Sequence, residues 1–352
     1  MTTFFDVVVD RLRAGVPMED PDIDWCADPA VLADALPRGA KVLIVTPGFV
    51  ESRHVVGLVL DSRGRLRSVI KVPRSISADH AVIHEATVLR RLGERAPSLL
   101  GTTPGALASV RVDGRRLLLE SPLNGEPLTH ARARSDSAAR DSVLAWVDDL
   151  PLTGEADGSD LLALLLEPLL ERLSALLPEA HDLQGTIAET RRAVQPLRGR
   201  LLPTVFEHGD PAHPNILVLD SRGPATLTGL VDWELGREYG VVGHDLAQLL
   251  AFLTFAEAGV HGVNSEVAVF EREFADPEAH PRRRFREHVA ERCDDDLEPA
   301  LFVLAWARSA LRILDRLAPS AVGEAADPVA VRREVEASRN VALWRCATAP
   351  RG

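Results

Sequence analysis

The chain has 352 residues, 46% of them hydrophobic, with a formal net charge of -12 and a pI near 5.4. That length suits one large or two modest domains around a proper core, and the acidic balance argues against a nucleic-acid binder, which carries a basic face. Cys26, Cys293 and Cys346 are odd in number, far apart and without CxxC spacing, so neither a disulfide framework nor a zinc site is expected.

The N-terminus, MTTFFDVVVDRLRAG, has no basic stretch ahead of its apolar residues and does not read as a secretory signal. The greasiest run, LLALLLEPLLERLSALL, is broken by Glu167, Glu171 and Arg172 and does not read as a membrane span. A cytoplasmic protein with neither membrane nor nucleic-acid partner is the expectation, with a monomer as default and a dimer as the alternative. Only two lysines occur, Lys41 and Lys71, among 40 basic residues. A lysine in an arginine-rich chain marks a place that wants a compact point charge; codon usage explains the same bias.

Residues 1–38 read as an extension with one or two short helices. Lys41–Val45, Val55–Leu60 and Leu66–Val72 are short apolar or alternating runs separated by TPGFVESRH and DSRG, the pattern of an antiparallel meander. A helix is expected from Ala78 to Leu92. Ala106–Val112 and Arg115–Glu120 follow as strands joined by the Asp113-Gly114 turn signal. The first third is thus a five-stranded sheet with one inserted helix. Beyond SPLNGEP (121–127), Leu162, Leu165, Leu166, Leu169, Leu173 and Leu176 keep helical spacing, and 299–316 reads as a buried helix. Most of 128–340 is expected to be helical, apart from a short hairpin near 216–231. Segments 153–159 and 276–296 read as surface connections.

The chemistry gathers in FEHGDPAHPNILVLDSRGPATLTGLVDWE, residues 206–234. Ile216–Leu219 and Thr228–Val231 read as two strands joined by turn residues. Paired antiparallel, with 216 opposite 231, they set Asn215 and Asp232 side by side, since facing residues stand about 5 Å apart at Cα. Asp210 precedes Asn215 by five residues, in a loop shaped by Gly209, Pro211 and Pro214, and returns towards the same point. Three such side chains suit a hard cation that takes oxygen ligands. They also suit a kinase, in which two groups hold magnesium and one carboxylate orients the acceptor hydroxyl. Singly, each residue has an ordinary reading: a turn or helix cap for the aspartates, backbone satisfaction for the asparagine.

Further upstream, Glu85 shares a helical face with Val82, Leu89 and Leu92, where a carboxylate is costly unless paired. Lys71 is the expected partner; the alternative is a Glu85 at the stripe's edge that reaches water. The loop between the first two strands has only Gly48, and its amides or the Ser52 hydroxyl are candidates to cradle phosphate. His208 could orient Asp210 or simply be a satisfied buried histidine, as could His244. Asp245 reads as a helix N-terminal acid or an anchor for the loop.

With these residues together, the chain resembles the aminoglycoside phosphotransferase and choline kinase family, relatives of the protein kinases. HGDPAHPN is similar to the family's HxDxxxxN loop, LVDWE to its metal-binding Asp segment, and VGHDLAQLL to the helix that follows. The resemblance runs over 205–255, and Lys71, Glu85 and LLLESPLNGEPL keep the expected order over 40–127. It implies an α+β, two-lobed, protein-kinase-like fold. Residues 1–120 would be the nucleotide-binding lobe, 121–127 the hinge and 128–352 the helical lobe with catalytic loop and substrate pocket. It implies ATP, with GTP as the alternative donor, and Mg2+. By residue, it implies Asp210 as base, Asn215 and Asp232 as metal ligands, Lys71 with Glu85 as the phosphate-positioning pair, and Glu120 and Pro122 near the adenine. The expected activity is transfer of the γ-phosphoryl group to the hydroxyl of a small molecule. An antibiotic, whether an aminoglycoside or another natural product, leads as acceptor. A primary metabolite such as a choline-like amino alcohol, sugar or nucleoside is the alternative. Acidic residues at Asp148, Asp149, Asp160 and Asp294–Asp296 could meet a cationic drug or form a solvated surface. From other classes stand a metal-dependent phosphohydrolase built on His208, Asp210, His244 and Asp245, and an inert nucleotide-binding pseudokinase.

Overall fold

The computed structural model describes residues 23–45, 54–74, 78–112, 114–219, 225–316 and 328–349. Gly48 and Ser52, residues 1–22 of the N-terminal extension, and Asp113 of the expected turn lie outside the described residues. Two compact units are present. The first comprises residues 1–127, 215–219 and 227–237; the second comprises 128–214, 220–226 and 238–352.

In the first unit, six strands form one antiparallel sheet in the order β1-β5-β6-β4-β3-β2. Five are the expected ones: β2 (Lys41–Val45), β3 (His54–Leu60), β4 (Leu66–Pro73), β5 (Ala106–Val112) and β6 (Arg115–Glu120). The sixth, β1 (Ile23–Cys26), pairs with β5 and lies in a stretch read as helical, in which Pro29–Ala35 is the one helix among the described residues. Four residues are too few to show a period, so only the β-prone Ile and Trp hint at this strand.

Alternate strand residues face opposite sides of a sheet, and that alternation places the site. Ile70, Val72, Leu117 and Leu119 join Leu32, Ala35 and Leu36 in a buried core beneath the first helix. The residues between them face the other way. β4 and β6 pair with Lys71 opposite Leu118 and Val69 opposite Glu120. Lys71 and Glu120 are therefore diagonal neighbours on one face, within reach for long side chains. The helix Asp79–Arg95 packs against β4, β5 and β6. It buries Val82, Glu85, Val88, Leu89 and Leu92, the stripe read from the sequence.

A second small sheet belongs mainly to this unit. The strand Ile216–Leu219 lies between Thr226–Leu230 and β7 (Glu126–Pro127), with Leu217 opposite Pro127.

The second unit is mainly helical, with differences from the sequence reading. Segment 153–159, read as a surface connection, contains most of a strand, Leu152–Asp157. It pairs antiparallel with Leu201–Glu207, itself unforeseen. The first strand lies mostly exposed, so its polar, glycine-bearing sequence carries no apolar alternation to detect. Segment 276–296 contains a helix, His280–Ala290. Its proline, Pro281, sits in the first turn, where a missing N–H costs nothing. The expected leucine-rich helix divides at Leu166 into Gly158–Leu165 and Glu167–Leu176, again with proline at the restart. The helix Glu298–Leu311 is buried almost throughout, as its apolar residues require. Among the described residues, no single helix is long and apolar enough to cross a membrane.

Candidate active site

The first unit holds a buried cluster of one cation and three carboxylates. Lys71 Nζ donates to Glu85 Oε1 at 2.5 Å and to Asp232 Oδ1 at 3.1 Å, and stands 3.8 Å from Glu120 Oε1. The expected Lys71–Glu85 pair is thus present, and Glu85 does more than pair: its Oε1 also accepts from the Trp233 N–H at 2.7 Å. One carboxylate on the helix Asp79–Arg95 therefore ties the sheet lysine to the DWE segment. A second tie runs from His84 on the same helix, whose Nε2 lies 2.7 Å from the Gly236 carbonyl.

Burial would strip the proton from Lys71, but the carboxylates of Glu120, Glu85 and Asp232 outweigh it and hold the ammonium well above its usual range. The converse holds at Glu120. Burial, aided by Glu85 and Asp232 and opposed by Lys71, pushes its carboxyl up to about 8. Burial also pushes Glu85 upward, against the ammonium and the Trp233 N–H. Glu120 thus meets the cluster with its side chain. Pro122 follows it, half-buried, in the chain leaving β6.

Asp232 has a backbone φ of 70°, the one positive φ outside glycine among the described residues. Aspartate tolerates that region better than most residues, at a cost of order 1 kcal/mol or more. Asn215 is buried, and its carbonyl accepts from the Val231 N–H at 2.9 Å. The hairpin thus does bring residues 215 and 231 together. Val231 bonds to Asn215 itself, whereas the sequence reading set it opposite 216. The strand begins at Thr226 and not at Thr228, so the pairing slips by a residue. An amide and a carboxylate at such a hairpin end are oxygen donors of the kind a hard divalent cation takes. His54 Nε2 stands 3.9 Å from Asp232 Oδ1, and His54, Asp232 and Glu234 bring donor atoms within 4.8 Å of one another. No other such group occurs among the described residues.

The second unit holds the HGDPAHP part of the HGDPAHPN loop, residues 208–214. It leaves the strand Leu201–Glu207 and turns at Gly209, whose φ of 86° favours a residue without Cβ. Asp245, at the start of the helix His244–Ala258, accepts from the His208 N–H at 2.6 Å and the Gly209 N–H at 2.8 Å. It is the loop anchor expected from its position. Burial and the nearby Glu207 carboxylate push Asp245 up to about 7, against the pull of those two amides. His208 is fully buried, and its Nδ1 accepts from the Asp210 N–H at 3.2 Å, so it is both satisfied and orienting. Gln248 Nε2 and Arg312 Nη1 both donate to the Gly209 carbonyl, at 2.9 and 3.0 Å. Arg312 Nη2 also lies 3.1 Å from Asp210 Oδ2. The start of the loop is thereby held through its backbone and at its acid.

Beneath the loop, Glu207 receives both guanidinium arms of Arg308, at 2.6 and 2.7 Å, and the Val241 N–H at 3.0 Å. The approach needs a glycine, because a Cβ at Gly240 would collide with that of Glu207. The model for the phosphotransferase enzyme family (APH) matches residues 56–275, well over half of the chain. The chain belongs to this family. Among solved structures, it is similar to a Plasmodium vivax ethanolamine kinase, at 13% identity and a TM-score of 0.50, over 85% of this chain and 82% of that one. It is also similar to a thermostable mutant of the aminoglycoside phosphotransferase APH(4)-Ia solved with AMP-PNP and hygromycin B. That match has 12% identity and a TM-score of 0.51, over 87% of this chain and 93% of that one. Both likenesses are of fold, and they bear out the two-lobed α+β architecture. No curated protein matches by sequence.

For this phosphotransferase-family chain, several supporting residues escaped the sequence reading. Arg312 and Arg308 are arginines in an arginine-rich chain, with nothing local to distinguish them. The signal for Glu120 was available: strand alternation from Lys71 through the β4–β6 pairing puts it on the same face. Three of the acidic residues read as able to meet a cationic drug or form a solvated surface have basic partners in the second unit. Asp148 binds Arg284 and, at 2.9 Å, His288, while Asp294 and Asp296 face Arg200.

Proposed function

We propose that this chain is a small-molecule kinase that transfers the γ-phosphoryl group of ATP, with GTP as the alternative donor, to a substrate hydroxyl. The observation that carries the reading is Lys71, buried and kept cationic between Glu85, Glu120 and Asp232. A point charge so fixed can position nucleotide phosphates. Asn215 and Asp232 would hold Mg2+, which supplies neutralisation of charge on the transferring group. The strained φ of Asp232 fits a carboxylate fixed in place for a ligand.

Asp210 is the proposed base. Its backbone N–H donates to His208 Nδ1 and the neighbouring Gly209 peptide is held by Asp245, Gln248 and Arg312, so its carboxylate is presented by a fixed loop. It accepts the proton of the acceptor hydroxyl as the oxygen attacks phosphorus. Arg312, 3.1 Å away, orients that carboxylate. Pro122 and the backbone at Glu120 are proposed to meet the base of the nucleotide, and Gly48 and Ser52 its phosphates. The acceptor is proposed to be a hydroxyl-bearing natural product, antibiotics included. Family membership and a fold neighbour solved with AMP-PNP and hygromycin B support this reading.

Calorimetric titration with ATP, with and without Mg2+, tests it. Wild-type protein should bind ATP with a clear Mg2+ dependence, and Asp232→Ala should lose that dependence. Binding that is absent, or indifferent to Mg2+ in the wild type, would sink the assignment.

A further inference from the structure

Beside Asp210, within the second unit, lies a cavity of about 160 Å³. Its apolar wall includes Phe252, Phe255, Trp306 and Leu343. Its ionisable lining is Asp210, Arg339, His130 and His213, so Asp210 is the one acid on the cavity wall. Arg312 already stands against that acid at 3.1 Å, and Arg339 is met by Glu266 at 3.6 Å. His130 packs edge-on against Phe252 and His261, with ring centroids 4.9 and 5.1 Å apart. Burial, then the neighbouring His261 and His213 imidazoles, pushes its pKa down.

A polyamine entering this space would surrender its hydration to aromatic rings and meet one carboxylate that is already paired. Ring faces do attract cations, but here the Arg339 guanidinium shares the wall with them. An anion would face the Asp210 carboxylate. An uncharged body suffers neither penalty and gains the apolar contact. Trp306, on the same wall, has a buried indole N–H with no hydrogen-bond partner among the described residues. Such a donor is costly unless something accepts from it.

We propose that the acceptor bound here is an uncharged hydroxyl compound with an aromatic or apolar body and an oxygen able to accept from Trp306, and not a polycationic amino sugar. The inference rests on the kinase reading only in taking the cavity beside Asp210 as the acceptor's; the match of wall to ligand stands on the cavity alone.

The test uses wild-type protein and three nitrophenyl sugars that differ in one charge: 4-nitrophenyl glucoside, its 2-amino-2-deoxy relative and its glucuronide, with streptomycin as a polycation. By calorimetry the uncharged glucoside should bind at least about tenfold more tightly than either charged relative or streptomycin. Trp306→Phe, which keeps a ring and deletes the donor, should weaken it about fivefold. Tightest binding by the amino sugar, the glucuronide or streptomycin, or binding by none of the four, overturns the proposal. If the glucoside binds tightest but gains no phosphate from magnesium-ATP, the cavity reading stands and the kinase reading falls.

Discussion

At Asp232 three demands meet in one residue: a left-handed backbone, a bond to Lys71, and a place at the end of a hairpin. Chain direction accounts for the strain, since the backbone must turn there so that the next N–H, that of Trp233, reaches Glu85. The consequence can be separated from chemistry by comparing two substitutions. Asp232→Ala and Asp232→Gly both delete the carboxylate, but only glycine relaxes at a φ of 70°. Left-handed backbone costs an alanine about 1–2 kcal/mol, partly offset by the extra freedom glycine has in the unfolded chain. Asp232→Gly should therefore be the more stable of the two by about 1 kcal/mol in urea unfolding, with both losing Mg2+-dependent nucleotide binding. An alanine variant as stable as the glycine variant would show that the site is unstrained.

The strand Leu201–Glu207 ends in an ion pair that supports everything after it. Burial alone would raise the Glu207 carboxyl, but Arg308, His244 and the Val241 N–H hold it at about 2, below its ordinary 4.5. A folded pKa below the unfolded one gives stability that is fully present above about 4.5 and lost as pH falls towards 2. That gap corresponds to about 3 kcal/mol. Arg308→Met leaves the carboxylate buried and unneutralised and should cost about 3–5 kcal/mol at neutral pH. It should also remove the Glu207 share of acid destabilisation, a difference read from urea midpoints at pH 6 and pH 3. A variant with unchanged stability would contradict the pair's role. The same strand shows where sequence reading falls short. The Lys71–Glu85 pair was legible because local rules fix it: strand alternation and a helical stripe. The strand pair Leu152–Asp157 and Leu201–Glu207 bridges about fifty residues of intervening chain, and its first member is exposed and polar, so no local rule announces it. Arg308 and Arg312 reach the loop from a distant helix end, a placement only tertiary packing decides.

Across the whole molecule, the resemblance read from three short motifs agrees with a family match over residues 56–275 and with fold neighbours that span most of the chain. Of the acids read as able to meet a cationic drug or form a solvated surface, Asp148, Asp294 and Asp296 form ion pairs on the second unit, while the cavity at Asp210 has a wall of rings. Fold and loop chemistry are set by backbone geometry that leaves sequence motifs, whereas the cavity beside Asp210 is lined by side chains gathered from five separate stretches of chain. The measurement that bears most directly on the central claim is mass spectrometry of a hydroxyl-compound library incubated with protein, ATP and Mg2+. Wild-type protein should add about 80 Da to at least one compound. Asp210→Asn should slow that addition by about 10²–10⁴-fold while leaving ATP binding intact. Transfer at near wild-type rate by Asp210→Asn, or no mass gain by the wild type across the library, would contradict the account.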